Sequence, residues 1–236
     1  MSLILPTQGL LAAGGGGGTP PADDPYFANV VALLHFDGAD SSTTMTDVTG
    51  KVWTPFGNAQ IDTAQSKFGG SSLLLDGTGD YMTTPSSADF AYGTGDFTWE
   101  CWFRPLLISS NNRYILDHGA NGGTFHILVA SNRVAYYNPT TGINSELYNA
   151  GPIVSLNTWY HIAYCRQSGT TSCFIDGVPA VSGADGYDYA AQVLSIGQYG
   201  GGGFNFAGHI DEFRITKGVA RYTGAFTPPT APFPDS

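Results

Sequence analysis

The chain alternates short runs of β-favouring residues with turn-forming clusters from residue 27 to its end. Apolar residues nowhere repeat at helical spacing for about 11 positions, so we expect few and short helices. The pattern instead predicts strands at 30–36, 52–56, 71–75, 81–84, 96–104, 114–118, 124–130, 133–137, 159–166, 171–175, 193–196 and 206–215. This number of strands suits two facing sheets. The sequence therefore predicts an all-β, two-sheet antiparallel β-sandwich of the jelly-roll type.

The segment at 96–104 shows the alternation most clearly, because successive side chains of a strand point to opposite faces. One face carries Phe97, Trp99, Cys101 and Phe103, and the other carries Thr98, Glu100, Trp102 and Arg104. We expect the first set to pack into the core and the second to form a mixed outer face.

Two further features refine this architecture. No segment repeats at a fixed period, which argues against a propeller or a solenoid. The proline-rich stretch at 226–234 can form neither a helix nor a central strand, so it should lie extended across the outside of the domain.

The N-terminal part of the chain differs in composition from the rest. Residues 10–25 contain the run Gly14 to Gly18 followed by several prolines. This stretch has too few apolar side chains to offset the entropy lost when it becomes ordered. We expect residues 1–26 to form an arm with a Gly/Pro linker and residues 27–236 to form the sandwich. The apolar residues of the arm could dock on another subunit by adding a strand or filling a groove: Leu3, Ile4, Leu5, Leu10 and Leu11. A disordered tail is the alternative.

Charge and composition exclude several classes of partner. The chain of 236 residues has a formal net charge of −10, which opposes binding to nucleic acid. The first residues contain no Lys or Arg and are interrupted by Pro6, unlike a secretion signal. No apolar run approaches the roughly 20 residues that span a bilayer, so we expect no membrane partner.

The three cysteines indicate a reducing environment. Cys101, Cys165 and Cys173 form an odd set without CxxC spacing, which favours neither a zinc site nor a disulfide framework. Three buried thiols are expected. A Cys165–Cys173 disulfide stays open as an alternative, because the register of the two strands decides it.

Several motifs resemble the laminin-G-like, concanavalin-A-like lectin/glucanase family, and they occur in the family's order. They comprise 31–38 (VALLHFDG), 68–77 (FGGSSLLLDG) with 79–81 (GDY), 97–105 (FTWECWFRP), 159–163 (WYHIA), 174–178 (FIDGV) and 206–215 (FAGHIDEFRI). The segment 218–229 (GVARYTGAFTPP) is similar to the end of such domains in tailed-phage virion proteins. The resemblance implies a jelly roll that serves binding, with structural calcium common in the family.

Catalytic residues of the family do not recur. The resemblance implies that members cleaving glycans carry carboxylates at i, i+2 and i+4 of one strand, and no such spacing occurs here. Glu100 stands alone, and Asp211 and Glu212 should point to opposite faces of a strand. There is no Gly-x-Ser-x-Gly motif either. We therefore expect a protein that is not an enzyme.

Calcium binding is the strongest chemical hypothesis, because hard cations prefer carboxylate and carbonyl oxygens from loops. Asp37, Asp76, Asp80 and Asp211 all lie at predicted strand ends, and Asp37 could meet Asp211 if the first and last strands pair. Calcium would act as a structural ion. Alternatively, these aspartates cap turns through neighbouring backbone amides.

Aromatic residues in turn-rich stretches are candidates for stacking on sugar rings. The ligand-binding candidates are Tyr136, Tyr137, Asn138, Tyr187, Tyr189, Tyr199, Phe204 and Asn205. The run Gly200 to Gly203 would let a partner approach the backbone closely. The alternative is that these rings cover sandwich edges or contact neighbouring subunits.

These observations favour a phage virion surface protein that is assembled in the host cytoplasm. Its N-terminal arm would dock on other virion proteins of the capsid or tail, in several copies per particle. The sandwich would serve as a decoration or glycan-adhesion module. The shortness of the chain and the lack of heptads favour decoration over a tail fibre. The alternatives are a secreted bacterial carbohydrate-binding or adhesin domain and, last, a glycoside hydrolase.

Overall fold

A computed structural model describes residues 23–119, 125–130, 132–137, 153–200 and 202–236. The predicted docking residues Leu3, Ile4, Leu5, Leu10 and Leu11, as well as Asn138, lie outside these ranges. Within them the chain forms a two-sheet β-sandwich, which confirms the predicted fold class. The described helical turns are short 3-10 segments at Phe27–Asn29 and Ala88–Phe90, and no described helix is long and apolar enough to cross a membrane.

The larger sheet, called sheet A, is antiparallel. The described part of the chain contributes, in spatial order, β12 (Val178–Ala184), β11 (Thr170–Ile175), β10 (Tyr160–Gln167), β6 (Phe97–Pro105), β14 (Ala207–Lys217), β4 (Ser72–Asp76) and β3 (Gln60–Asp62). The first strand, β1 (Val30–Leu34), also pairs with β14, with Leu34 opposite Phe213. The first and last strands therefore meet, as the calcium hypothesis required.

The second sheet, called sheet B, faces sheet A. Its described strands run in the order β2 (Thr54–Phe56), β5 (Tyr81–Thr84), β13 (Leu194–Ile196), β7 (Arg113–His118), β8 (Phe125–Ala130) and β9 (Arg133–Tyr137). In β7, a shift in register between Tyr114 and Leu116 marks a bulge, so that Ile115 and Leu116 both contribute to the core.

The core between the sheets is built on the alternation seen in the sequence. Phe97, Trp99, Cys101 and Phe103 of β6 all belong to it, as predicted. The indole nitrogen of Trp99 donates to the hydroxyl of Tyr92 at 3.0 Å, which satisfies the polar atom of a fully buried ring. The sandwich therefore has one large, aromatic-rich core.

The strand predictions agree with the structure except at two edges. Each predicted strand is present, within a few residues of its expected ends. The sequence missed β3 and β12, which are both edge strands of sheet A. β3 has only three residues, and β12 is largely exposed and contains Pro179, so neither shows the apolar alternation of a half-buried strand.

The outer face of β6, which the sequence predicted as a mixed outer face, is largely buried in the structure. Thr98, Glu100 and Trp102 are at most 5% exposed. The chain after β14 crosses this face in extended form, and Tyr222 and Phe226 pack against a small apolar cluster there. Phe233 packs on Val30 and Leu33 further along. The proline-rich stretch thus lies across the outside of the domain, as predicted, and we call residues 218–236 the C-terminal segment.

A buried ion-pair network fastens this segment to the sheet. Two guanidinium nitrogens of Arg214 donate to one Glu100 oxygen at 3.0 and 2.8 Å, and its third donates to Asp24 at 3.0 Å. Arg221 binds both Asp24 oxygens, at 2.9 and 2.6 Å, and Tyr222 donates to Glu100 at 2.8 Å. Asp24, which the sequence placed in the linker, is therefore fixed to the sandwich.

The electrostatic effect of this network is clearest at Glu100. Burial would raise the pKa of Glu100, but the charge of Arg214 and the nearby His161 hold this pKa well below its ordinary value. The carboxylate therefore stays charged, and its partners must be kept in place.

Nearby, the imidazole of His35 lies between Glu212 and Asp235, at 2.9 and 2.7 Å. Burial alone would lower the pKa of His35, but the nearby carboxylates of Glu212 and Asp235 have the larger combined effect and raise this pKa to about 9. The protonated ring thus joins β14 to the last residues of the chain.

All three cysteines are buried free thiols, as expected. Tyr164 is opposite Cys173 and Cys165 is opposite Ser172, so the two thiols are out of register. Cys165 faces the C-terminal segment and Cys173 faces the core. The register therefore rules out the disulfide left open by the sequence.

Replacing Arg214 by Met should lower the free energy of unfolding by about 3–5 kcal/mol, because Glu100 and Asp24 would lose their shared buried partner. Urea unfolding measures the loss. Lys217→Met, on the same strand but only partly buried, is the control and should cost far less. A loss below about 1 kcal/mol for the Arg214 variant would show that the network does not hold the segment.

Candidate functional site

A group of three aromatic rings, of which Tyr114 is buried at 5% exposure, lies where the glycine-rich loop after β13 returns along sheet B. Tyr199 and Phe204 come from this loop, and Tyr114 comes from the start of β7. The ring centroid of Tyr114 lies 5.0 Å from that of Tyr199 and 5.9 Å from that of Phe204. Phe204 is 50% exposed and Tyr199 is half-buried. We call these three rings the aromatic cluster.

The loop is held against the sheet at Gly200. Its amide donates to an Asp117 oxygen at 2.5 Å. A side chain at this position would place its Cβ 2.1 Å from the carbonyl oxygen of Gly119, closer than the backbone could allow without moving. Glycine is therefore required here, and the close approach fixes the position of the neighbouring Tyr199.

Asp117 is a buried carboxyl beneath the loop. It has no exposed surface, and its second oxygen has no hydrogen-bond partner in the described part of the chain. Burial raises the pKa of Asp117 to about 7, and the single bond from Gly200 lowers it only in part. Its strand neighbours across sheet B are polar: Ser195 is opposite Asp117, and Thr83 is opposite Ser195. A polar row thus runs beside the aromatic cluster.

Asn205 holds the other end of the loop rather than facing a ligand. Its side-chain amide donates to the carbonyl of Asp80 at 3.2 Å and to the side chain of Gln198 at 3.3 Å. The backbone carbonyl of Asn205 accepts a hydrogen bond from the guanidinium of Arg113 at 3.1 Å, and the residue is only 8% exposed. The sequence prediction of a ligand contact is therefore corrected to a supporting role beneath Phe204.

The remaining aromatic candidates do not join the cluster. Tyr136 is 3% exposed and packs edge-on against Tyr164, and Tyr189 is fully buried and bonded to Asp185. Both are core residues, so neither can contact a ligand as predicted. Tyr187 is half-buried against Tyr189, and the half-buried Tyr137 ends β9. Of the predicted set, the structure brings together Tyr199, Phe204 and Asn205.

The four metal candidates fall into two separate pairs. Asp80 accepts from the amides of Asn58 and Asp76, and Asp76 accepts from Thr78. Each carboxylate thus supports a local turn, as in the alternative to calcium binding in which these aspartates cap turns.

The other pair flanks the loop 67–69. Asp211 accepts from the amides of Lys67 and Phe68, and Asp37 lies against Gly69. Burial raises the pKa of Asp211 to about 7. The described residues contain no group of three or more metal-ligating side chains, and calcium binding stays a prediction.

The two glutamates considered for catalysis are both occupied within the domain. Glu100 is bound by Arg214 and Tyr222, and Glu212 is bound by His35 and by the amide of Phe233. Asp211 and Glu212 do not alternate as in a regular strand, because β14 is bulged there and Glu212 has a φ of 51°. Their arrangement is that of ion pairs that fasten β1, β14 and the C-terminal segment.

Sequence reasoning missed Tyr114 and Asp117. Both lie in a strand of mostly buried residues, where neither a buried ring nor an aspartate after an apolar run indicates contact with a loop more than 80 residues later. The aspartate was the available hint, because a charged residue within such a strand needs a specific partner.

The family model of the concanavalin A-like lectin/glucanases superfamily, in a laminin G-like form, matches residues 76–221. The chain belongs to this superfamily. The match includes β6, β7, β13 and β14, and hence the aromatic cluster and Asp117. No curated protein matches the sequence significantly.

Solved structures share the fold at low sequence identity. The receptor-binding domain of a botulinum neurotoxin C/D mosaic serotype has a TM-score of 0.59 at 14% identity, over 82% of this chain and 49% of that one. A Trypanosoma rangeli sialidase bound to sialic acid has a TM-score of 0.62 at 15% identity, over 81% and 31%. This chain thus spans about half of the toxin domain and a third of the sialidase.

Domain 4 of AbnA, an extracellular arabinanase from Geobacillus stearothermophilus solved with arabinotriose, matches over nearly its whole length. The TM-score is 0.55 at 19% identity, over 81% of this chain and 94% of that domain. At these identities the likeness establishes the fold alone.

Asp117→Asn should stabilise the protein at about pH 8 by roughly 1–3 kcal/mol. The folded state keeps a proton that the unfolded state releases above about pH 4, so the wild type loses stability as the pH rises through about 7. The neutral amide removes this loss, and the gain should vanish near pH 4. Urea unfolding across this pH range measures it, with the exposed Asp188→Asn as control. An equal effect at both ends of the range would contradict the raised pKa.

Proposed function

We propose that the protein is a non-catalytic virion surface protein of a phage, and that its sandwich displays a glycan-binding module. The observation that carries the glycan-binding part is the aromatic cluster, in which a half-exposed Phe204 projects from a glycine-rich loop beside half-buried Tyr199. An exposed aromatic face on a fixed loop is what stacking on a sugar ring requires.

The geometry favours a site over a random exposed ring. Phe204 is held at a φ of 54°, a conformation uncommon for a phenylalanine. Bonds from Asn205 to Asp80 and from Gly200 to Asp117 fix the loop on both sides of the ring. Such strain at an exposed side chain is typical of functional positions, where the surrounding structure maintains it.

Structures with this fold support carbohydrate as the ligand class. The arabinanase domain was solved with arabinotriose, and cell entry of botulinum neurotoxin type C, which shares the fold, depends on interaction with two ganglioside molecules. These are properties of those proteins, and we extend only the ligand class to this chain. We also propose that Glu100 and Glu212 have no catalytic role, because each is held in ion pairs.

The phage assignment rests on the segment 218–229, which resembles the end of such domains in virion proteins. In the structure this segment covers sheet A, and Arg221 binds Asp24 close to the start of the described chain. Asp24 thus lies on the sheet A side of the sandwich. We propose that residues 1–22 anchor the protein to a capsid or tail structure, and that the outer face of sheet B carries the ligand site.

Phe204→Ala should weaken glycan binding by about tenfold or more, since a stacked aromatic ring contributes roughly 1–2 kcal/mol. A glycan array identifies a ligand, and calorimetry measures its affinity for both proteins. Tyr26→Ala, which removes a ring of similar exposure on the sheet A side, is the control and should bind normally. Unchanged affinity of the Phe204 variant would exclude the aromatic cluster as the site.

Mass spectrometry of purified particles tests the virion assignment. The protein should be present in several copies per particle. Its absence would favour the second candidate, a secreted bacterial carbohydrate-binding or adhesin domain, which the likeness to an extracellular arabinanase domain supports.

A further inference from the structure

A second aromatic surface lies beside the cluster on sheet B. Phe56, at the end of β2, stacks on Tyr81 at the start of β5, with ring centroids 4.6 Å apart and planes at 8°. Phe56 is 40% exposed and Tyr81 is half-buried. Phe56 and Tyr81 are directly opposite in the β2–β5 pair, so their side chains share one face of the sheet. We call this pair the aromatic stack.

The aromatic stack faces away from the core. The alternate residues of β5, Met82 and Thr84, are buried, and Met82 belongs to the core cluster. Tyr81 and Thr83 therefore point to the outer face of sheet B. Tyr114 lies on the same outer face, because Ile115 and Leu116 beside it fill the core.

A single hydrogen bond joins the stack to the cluster. Asn205 donates to the carbonyl of Asp80, so that Phe204 and Tyr81 are the next residues on either side of this bond. The side chain of Asn205 points inward to make it, which leaves Phe204 pointing outward. Gln198 also bonds to Asn205 and is half-buried between the two groups. Its side-chain amide nitrogen provides a hydrogen-bond donor there.

The aromatic stack and the aromatic cluster lie on strands that are not direct neighbours in sheet B. Tyr81 is on β5 and Tyr114 is on β7, with β13 between them, which places them about 10 Å apart. Between them, Ser195 of β13 points to the outer face, because its neighbours Leu194 and Ile196 belong to the core. The chain then turns at Gly197, which has a φ of 88° and where an added Cβ would meet the core side chain of Leu75. The interval between the two aromatic surfaces is thus polar.

We propose that the aromatic stack and the aromatic cluster form one extended site for an uncharged oligosaccharide. Phe204 would stack on one sugar unit, and Phe56 would stack on a unit further along the same chain. The side chain of Gln198 would donate to a hydroxyl between them. The net charge of −10 opposes binding of polyanionic glycans. This inference rests on the proposed glycan binding and specifies its ligand class.

The dependence of affinity on oligosaccharide length tests the extended site. The probes are arabino-, cello- and malto-oligosaccharides from disaccharide to hexasaccharide, measured by calorimetry with wild type, Phe56→Ala and Phe204→Ala. We expect Phe204→Ala to weaken binding at every length. We expect Phe56→Ala to weaken the longer ligands by about tenfold and to leave the shortest unchanged, because only a longer chain reaches both surfaces.

Val52→Ala is the matched control, because this 71% exposed residue lies just before β2 and should alter neither fold nor binding. Thermal unfolding of each variant confirms that the sheet is intact, and Phe56→Tyr, which keeps a ring for stacking, should restore binding. Equal loss at all lengths, or no loss at any length, with Phe56→Ala would overturn the extended site while leaving the Phe204 site in place. If wild type binds none of these probes, both the extended site and its assignment to neutral glycans are overturned. The glycan array with wild type and Phe204→Ala tests the proposed glycan binding separately.

Discussion

The closure of sheet A by the C-terminal segment determines which surface of this sandwich can meet a ligand. The central strands β6 and β14 are buried on both faces, one by the core and the other by residues 218–236 together with Lys67 and Phe68. Arg214 is the centre of this closure, because it neutralises Glu100 on one strand and Asp24 at the start of the domain. Buried charges of this kind are stable only while every partner is in place.

With the central strands of sheet A covered, we propose the outer face of sheet B as the surface for recognition. Its strands β5, β13 and β7 place aromatic and polar residues side by side, and the glycine-rich loop folds back over Asp117. The two faces of the domain thus have different roles. One is fastened by ion pairs that join Asp24 to β14 and the C-terminal segment, and the other presents rings held by backbone contacts.

The sequence predicted the fold well because β6 and its neighbours alternate apolar and polar residues in a regular way. It misjudged the outer face of β6, since the alternation of Thr98 and Glu100 cannot show that a segment about 120 residues later covers them. Nor can it show that Lys67 lies over the ring of Trp102. β12 was missed for the opposite reason. As an exposed edge strand with Pro179, it needs no apolar pattern.

The site was only partly predictable. Tyr199 and Phe204 were found because the run of glycines beside them indicates a loop. Tyr136 and Tyr189 were misassigned, because a tyrosine near a turn looks the same in sequence whether its ring faces the core or the solvent. Phe56 and Tyr81 were missed, because their stacking depends on the register of two strands separated by a long stretch of chain.

A crystal structure with a bound oligosaccharide tests the central claim most directly. The account predicts a sugar ring stacked on Phe204, with further units running over Gln198 towards Phe56 on the outer face of sheet B. A ligand bound instead on the sheet A side, for example in the groove between β12 and Thr223, with the rings of sheet B unoccupied, would contradict it.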